Sequence, residues 1–284
     1  MVRIDMYKLV VLDVDGTLLA PDGTVQPRVY DTVHTTRLAG CKITLATGRF
    51  LNGTRGLIES LNITTPLILH VGSLIQDPVT EAILYEDLLS PGSVKAAIYT
   101  ITTFGYQPII NDVGGRRLTG PPELDPSPEI KLFLETRQIN RVSISDLCKI
   151  EHVLGISVFS PDDDLESFQG ILQDKTNSRV LIYRPGPGHP LPWYQLEIFP
   201  LECSKGRALR FLIELLGIGR EEVLAIGDNI NDIEMLREAG MGVAMGNAPD
   251  AVKSVANAVV GTNEQDGVAE ALEKYVLSGR TIAL

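Results

Sequence analysis

Cysteine, long apolar runs and positive charge are scarce in this chain of 284 residues. Its three cysteines, Cys41, Cys148 and Cys203, are an odd number at wide spacing, which indicates neither a disulfide framework nor a cysteine-based zinc site. A reducing, cytoplasmic setting is therefore expected. No stretch reaches the roughly 18 apolar residues that a membrane-spanning helix needs, and Asp5, Asp13 and Asp15 come too early for a secretory leader. Lys and Arg number 25 against 36 Asp and Glu, for a formal charge of −11. That balance opposes attraction to phosphate backbones and anionic lipid, so neither nucleic acid nor a membrane surface is expected as a partner. Internal repeats and low-complexity tracts are also missing. The remaining composition, 44% hydrophobic and 21% charged with 26 Gly and 17 Pro, is that of an ordinary globular protein. At this length a single core stops growing, so two domains, or one core carrying a sizeable insertion, are expected.

Short apolar runs alternate with segments of helical period at both ends of the chain. Lys8 to Leu12, Lys42 to Thr47 and Pro66 to Val71 read as strands. Between them lie a helix opened by Pro27, with Val29, Val33 and Leu38 on its apolar face and Gly40 as its stop, and a second helix from about Arg49 to Leu61. Near the C-terminus Ala208, Phe211, Leu212 and Leu215 fall at i, i+3, i+4 and i+7 behind a Ser204 cap, and Gly217 ends that helix. Val223 to Ile226 and Gly242 to Met245 read as strands flanking a helix from Asp232 to Ala239. Such alternation implies a parallel sheet covered on both faces. From about Asp87 to Phe199 the pattern is less regular, with Pro and Gly clusters at Gly120 to Pro128 and Pro185 to Pro192 and an acidic turn at Asp162 to Asp164. This middle segment reads as an inserted α+β domain, with strands at Ser143 to Ile144, Gly155 to Phe159, Val180 to Tyr183 and Tyr194 to Phe199 and a helix at Leu165 to Leu172. The fold expected is α/β: a Rossmann-like, doubly wound parallel-sheet core in two parts, 1–86 and 200–284, interrupted by a cap domain at 87–199.

The sharpest chemical feature is Asp13-Val-Asp15-Gly16-Thr17-Leu18 where the first strand ends. Residues two apart in extended chain point the same way, so both carboxylates can face one spot beyond the sheet edge, where open parallel sheets bind ligands. Two like charges so close need a cation between them or a proton on one. Either remedy is catalytic: hard oxygen ligands suit Mg²⁺, and a nucleophile beside a proton donor is a common division of labour for two carboxylates. Thr47-Gly48-Arg49 offers a hydroxyl and backbone amides at the end of the second strand, parts suited to phosphate. Ser204-Lys205-Gly206 places a lysine at a helix start, and Gly227-Asp228-Asn229-Ile230-Asn231-Asp232 crowds acids and amides just past a buried strand. Alone, the second and third are ordinary capping or surface chemistry, and capping explains one residue of the fourth but not the set; at four strand ends or helix starts together they are far more specific.

These four segments, DVDGTLL, ATGR, SKG and GDNINDIEML, resemble in order and spacing the motifs of the haloacid dehalogenase superfamily, and among them the Cof-type (subclass IIB) phosphatases with a large α/β cap inserted after the third core strand. Gly242 to Pro249 and Asn263 to Val268 look like that family's late core segments. The resemblance spans nearly the whole chain. It implies that Asp13 is the nucleophile forming an aspartyl phosphate and that Asp15 protonates the leaving oxygen and then activates water. It further implies that Asp13, the Asp15 main-chain carbonyl and Asp228 hold Mg²⁺, supported from behind by Asp232, and that Thr47, Gly48, Lys205 and Asn231 hold the phosphoryl oxygens. One position departs: relatives often carry Asn-Gly at the end of the third strand, where this chain has His70-Val71-Gly72-Ser73, and Val71 has no side-chain hydrogen bond to give. His70 and Cys203 read as packed residues, and Arg116 and Arg117 as solvated turn charges. Trp193 and Tyr194 either stack on a substrate ring or pack near the hinge.

The function expected is a Mg²⁺-dependent phosphatase of a small phosphorylated metabolite, such as a sugar phosphate. Two alternatives stand beside it: a phosphomutase or phosphotransferase using the same aspartyl phosphate, and a catalytically silent small-molecule-binding module.

Overall fold

A computed structural model describes residues 7–125, 127–137, 139–160, 165–183 and 193–278. The chain divides into two compact units, Met1–Tyr85 with Ser204–Leu284 and Glu86–Cys203. No helix among the described residues is long and apolar enough to cross a membrane.

The first unit is built on a five-stranded, all-parallel sheet in the order Ala258–Val259, Met241–Ala244, Val223–Gly227, Leu9–Leu12 and Lys42–Leu45. Every residue of Leu9–Leu12 and Val223–Gly227 is buried, as the two central strands of a sheet covered on both faces require. A parallel bridge between Ala46 and Ile68 carries the order on to Leu67–Leu69, which pairs antiparallel with Leu74–Gln76. Helix Lys205–Leu216 buries Ala208, Leu209, Leu212 and Ile213 beside Met235 and Leu236 of helix Ile233–Glu238, in a core shared with Leu9, Val11, Val223 and Ala225.

Several local expectations are corrected. Leu38 and Leu215 are exposed. Thr32 and Thr36 take the inner face of helix Pro27–Leu38; the Thr32 hydroxyl is tied back to its own helix, donating to the Arg28 carbonyl at 2.7 Å. The helix expected from Arg49 begins only at Arg55, after a short 3₁₀ turn at Leu51–Gly53. The third strand is shorter than its apolar run, because His70 and Val71 turn into the left-handed region.

The second unit carries a six-stranded sheet in the order Ser178–Tyr183, Tyr194–Pro200, Val153–Ser160, Ile109–Asp112, Arg117–Thr119 and Asn140–Arg141. Its pairs are antiparallel except the last, which is parallel. One face packs Ile110, Ile156, Val158, Leu196 and Ile198 against helices Pro91–Thr103 and Leu165–Thr176. Ser143 to Ile144 is not a strand: the Ser143 hydroxyl accepts from the Asp146 N–H and opens the short helix Ile144–Leu147, as N-cap serines do. The acidic turn at 162–164 and the Pro-rich stretch at 185–192, apart from its neighbour Trp193, lie outside the described residues.

The opposite sheet face is mixed. Ile109 and Phe159 pack with Ile130, Phe133 and Leu134 of helix Pro128–Thr136, and Trp193 packs against this cluster; Tyr194 packs into the other face. Beside them runs a polar relay across four strands. Arg117 Nε donates to Asn111 Oδ1 at 3.2 Å, Asn111 Nδ2 to Ser157 Oγ at 3.0 Å, and Ser157 Oγ to Glu197 Oε1 at 2.8 Å. Gln195 Nε2 also donates to Glu197. Arg117 is thus no solvated turn charge: burial lowers its pKa. Burial also raises the pKa of Glu197, although the bonds from Ser157 and Gln195 pull the other way. A carboxyl whose folded-state pKa is raised contributes stability that is complete below its ordinary value of 4.5 and is lost as pH rises through the folded value. Replacing Glu197→Gln is therefore expected to raise the melting temperature relative to the unmodified chain by an amount that grows from pH 5 to pH 8; a pH-independent difference in thermal scans would contradict this.

Candidate active site

Asp13, Thr47 and Asp228 each lie one or two residues beyond the carboxyl end of a parallel strand, at the edge where such sheets gather ligands. The ladder runs right up to them. Asp13 N–H donates to the Ile226 carbonyl at 3.0 Å, and Thr47 N–H donates to the Ile68 carbonyl at 2.9 Å. Their side chains are therefore aimed by sheet geometry rather than by loops. Gly16 closes the first turn at φ +86°, and a Cβ there would fall 2.4 Å from Asp228 Oδ2. Only glycine allows both that conformation and that approach.

At the centre sits Lys205, 1% exposed. Its Nζ donates to Asp13 Oδ1 and to Asp232 Oδ1, both at 2.6 Å. A lone ammonium so deeply buried would lose its proton, and burial does pull its pKa down, but the two carboxylates outweigh that and hold it charged, above the usual lysine value. The Ser204 hydroxyl, which accepts from the Arg207 N–H at 3.1 Å, starts the helix and so fixes where Lys205 leaves it.

Asp13, Asp228 and Asp232 each bring a carboxylate oxygen within 4.8 Å of the others. Asp232 spends its oxygens locally. Oδ1 takes Lys205, while Oδ2 accepts the N–H groups of Asp228 at 3.0 Å and Asn229 at 2.9 Å. Asp228 Oδ1 accepts from the Thr17 hydroxyl at 2.8 Å, and its other oxygen meets Asn247 Nδ2 at 3.4 Å. Three carboxylates against one ammonium leave a negative surplus, which Asp13 and Asp228 resist by holding their protons more tightly. Burial, with the Asp232 charge beside it, pushes Asp228 up to about 6. Burial raises Asp13 well above the carboxylate range, with Lys205 opposing and Asp232 and Asp228 adding to the rise. A surplus of hard oxygen donors in a dry place is what a small divalent cation relieves.

The remaining expected residues are placed less uniformly. Thr47 is buried, and its Oγ1 accepts from the Arg49 N–H at 3.1 Å; Gly48 is exposed and Asn231 half-buried. Asp15 does not point into the acidic cluster. Its carboxylate is exposed and held bidentate by Arg49, with Nε at 2.9 Å and Nη2 at 2.5 Å. Sequence reasoning assigned no role to Thr17, Arg49 or Asn247. Asn247 Nδ2 donates to the Gly16 carbonyl at 2.9 Å, and its Oδ1 accepts from the Asn263 N–H at 3.1 Å, so the two late segments brace the first turn. The only signal for them was their position inside motif-like segments.

Comparison with known proteins places the chain in a family. A family model described as haloacid dehalogenase-like hydrolase matches residues 10–272. A pyridoxal phosphate phosphatase of Escherichia coli is 30% identical over 288 residues, covering 95% of this chain and 99% of its own length. A 5-amino-6-(5-phospho-D-ribitylamino)uracil phosphatase of Bacillus subtilis is 28% identical over 270 residues, covering 94% and 97%. A haloacid dehalogenase-like hydrolase from Bacteroides thetaiotaomicron, known from its crystal structure, superposes with a TM-score of 0.74 at 28% identity over 94% of this chain and 99% of that one. With a buried Asp–Lys–Asp centre at the carboxyl edge of a parallel sheet and a family match over most of its length, the chain belongs to the haloacid dehalogenase-like hydrolases.

Proposed function

We propose that this protein is a Mg²⁺-dependent phosphatase of a small phosphorylated metabolite, working through an aspartyl phosphate on Asp13. The observation that carries the reading is the buried Asp13–Lys205–Asp232 arrangement with Asp228 beside it. It combines a carboxylate nucleophile, a fixed cation and a place for a second cation, which is what phosphoryl transfer requires, since its barrier is lowered by positioning and charge neutralisation. The relatives named as phosphatases of pyridoxal phosphate and of a phosphoribityl pyrimidine support a phosphomonoester with a compact organic group as the substrate class.

Asp13 and Asp228 side chains, with the Asp15 main-chain carbonyl, would hold Mg²⁺, whose charge would draw electron density from the phosphoryl oxygens. Asp232 supports from behind, because its oxygens already orient Lys205 and the Asp228–Asn229 backbone. Asp13 Oδ attacks phosphorus, the ester oxygen leaves with a proton from Asp15, and water activated by Asp15 then cleaves the acyl phosphate. For Asp15 to reach the leaving oxygen its bidentate pair with Arg49 opens, which frees the guanidinium to meet the phosphoryl group alongside Thr47, Gly48, Lys205 and Asn231. The second unit serves as the cap that selects the organic group.

Asp13→Asn is expected to lower phosphate release from p-nitrophenyl phosphate by more than about a thousandfold while leaving the melting transition cooperative. Excess chelator is expected to have the same effect on the unmodified chain; metal-independent release, or activity surviving in the variant, would overturn the nucleophile and metal assignments. Asp228 binds a cation only when ionised, and its pKa is pushed up to about 6, so the Mg²⁺ concentration for half-maximal activity should climb as pH falls below that value. Asp228→Asn should raise that concentration by at least about tenfold and flatten its pH dependence, measured by titrating Mg²⁺ at pH 5.5, 6.5 and 7.5.

A further inference from the structure

The chain leaves strand Leu67–Leu69 through three consecutive residues in the left-handed region: His70 at φ +47°, Val71 at +60° and Gly72 at +102°. Only the last is glycine. A β-branched residue fits this region worst, because its Cβ crowds the following carbonyl. Strained residues of this kind persist only where the surrounding structure holds them. Here the turn is gripped from two sides.

On one side it clamps the second motif. His70 N–H donates to the Arg49 carbonyl at 3.1 Å and Val71 N–H to the Thr47 carbonyl at 3.0 Å, so the two bonds straddle Gly48. A Val71 methyl lies over that glycine, 3.6 Å from where a Cβ on it would sit. On the other side Gly72 presses against the start of helix Lys205–Leu216: a Cβ would fall 2.3 Å from the Ser204 carbonyl oxygen and 2.8 Å from the Lys205 nitrogen. The turn is locked internally as well. The Ser73 hydroxyl donates to the His70 carbonyl at 2.9 Å, which leaves its oxygen to accept from His70 Nδ1–H, also at 2.9 Å, and the His70 ring packs tilted at 41° against Phe50, centroids 4.7 Å apart.

We propose that Val71 is a positioning residue for phosphoryl binding: its left-handed backbone and buried isopropyl group hold the Thr47–Gly48–Arg49 turn at a fixed spacing from Lys205. The inference rests on the reading of Thr47, Gly48 and Lys205 as phosphoryl-holding residues. It explains why an apolar side chain occupies a left-handed position beside a polar site. A methyl over Gly48 supports the turn by contact alone and competes with none of its donors.

The test uses Val71→Ala, Val71→Gly and Val71→Thr in the full-length protein, with thermal melting and inhibition of p-nitrophenyl phosphate turnover by inorganic phosphate as readouts. Glycine normally melts below alanine; at this position it should melt above it, by about 2–4 °C. Both truncations should weaken phosphate inhibition by about tenfold despite their different stabilities, whereas threonine, which keeps the branched shape, should hold it within about twofold of the unmodified chain. A merely structural residue would make inhibition follow melting temperature. Glycine melting at or below alanine, or inhibition unchanged in both truncations of an active enzyme, would overturn this inference alone. An unmodified protein with neither Mg²⁺-dependent turnover nor phosphate inhibition would overturn it together with the phosphatase reading.

Discussion

Burying an ammonium group costs several kcal/mol unless partners replace its water, and the first unit is arranged around meeting that cost at Lys205. Asp13 comes from the end of the central strand, Asp232 from the turn before helix Ile233–Glu238, and the lysine from the first turn of helix Lys205–Leu216. Removing the lysine would leave two buried carboxylates without their cation, the costliest loss among the three. The surrounding devices keep this geometry fixed: the Gly16 turn against Asp228, the backbone N–H pair on Asp232, and the Asn247–Asn263 brace.

Burial first, and the neighbouring carboxylate charge after it, make Asp13 and Asp228 both hold protons more tightly than carboxylates in water. The acidic cluster carries more negative charge than Lys205 alone offsets. That surplus weighs on folding stability, as clusters of like charge commonly do.

Much of the first unit was legible in the sequence, for a physical reason. Strands buried on both faces, such as Leu9–Leu12 and Val223–Gly227, read as continuous apolar runs whatever their neighbours are. Acidic residues placed directly after such runs must lie at the sheet's carboxyl edge. Lys205 looked like a surface residue because its partners stand 192 and 27 positions away, a relation no local pattern carries. Asp15 shared the orientation argument with Asp13 but not its environment, since the Arg49 fork decided where its carboxylate went. The relay from Arg117 to Glu197 was hidden likewise, as a polar residue on a strand acquires meaning only from its cross-strand neighbours. Short local signals competed evenly at Ser143, where a capping hydroxyl won over an apolar pair, and at Val71, where tertiary contacts overrode the β preference of the run before it.

The separation of Asp13 from Lys205 also bears on how the molecule comes into being. A ribosome delivers the N-terminal end first, so Asp13, Asp15 and Thr47 are made long before their cation, with the whole of Glu86–Cys203 emerging in between. That middle unit is a contiguous stretch with its own sheet and its own apolar core, and it can condense while the flanking halves wait. The central strand Leu9–Leu12, by contrast, needs Val223–Gly227 on one side to complete its ladder. The acidic centre thus cannot assemble in a truncated product, and a chain released early carries an unpaired sheet edge in place of the Asp–Lys–Asp cluster.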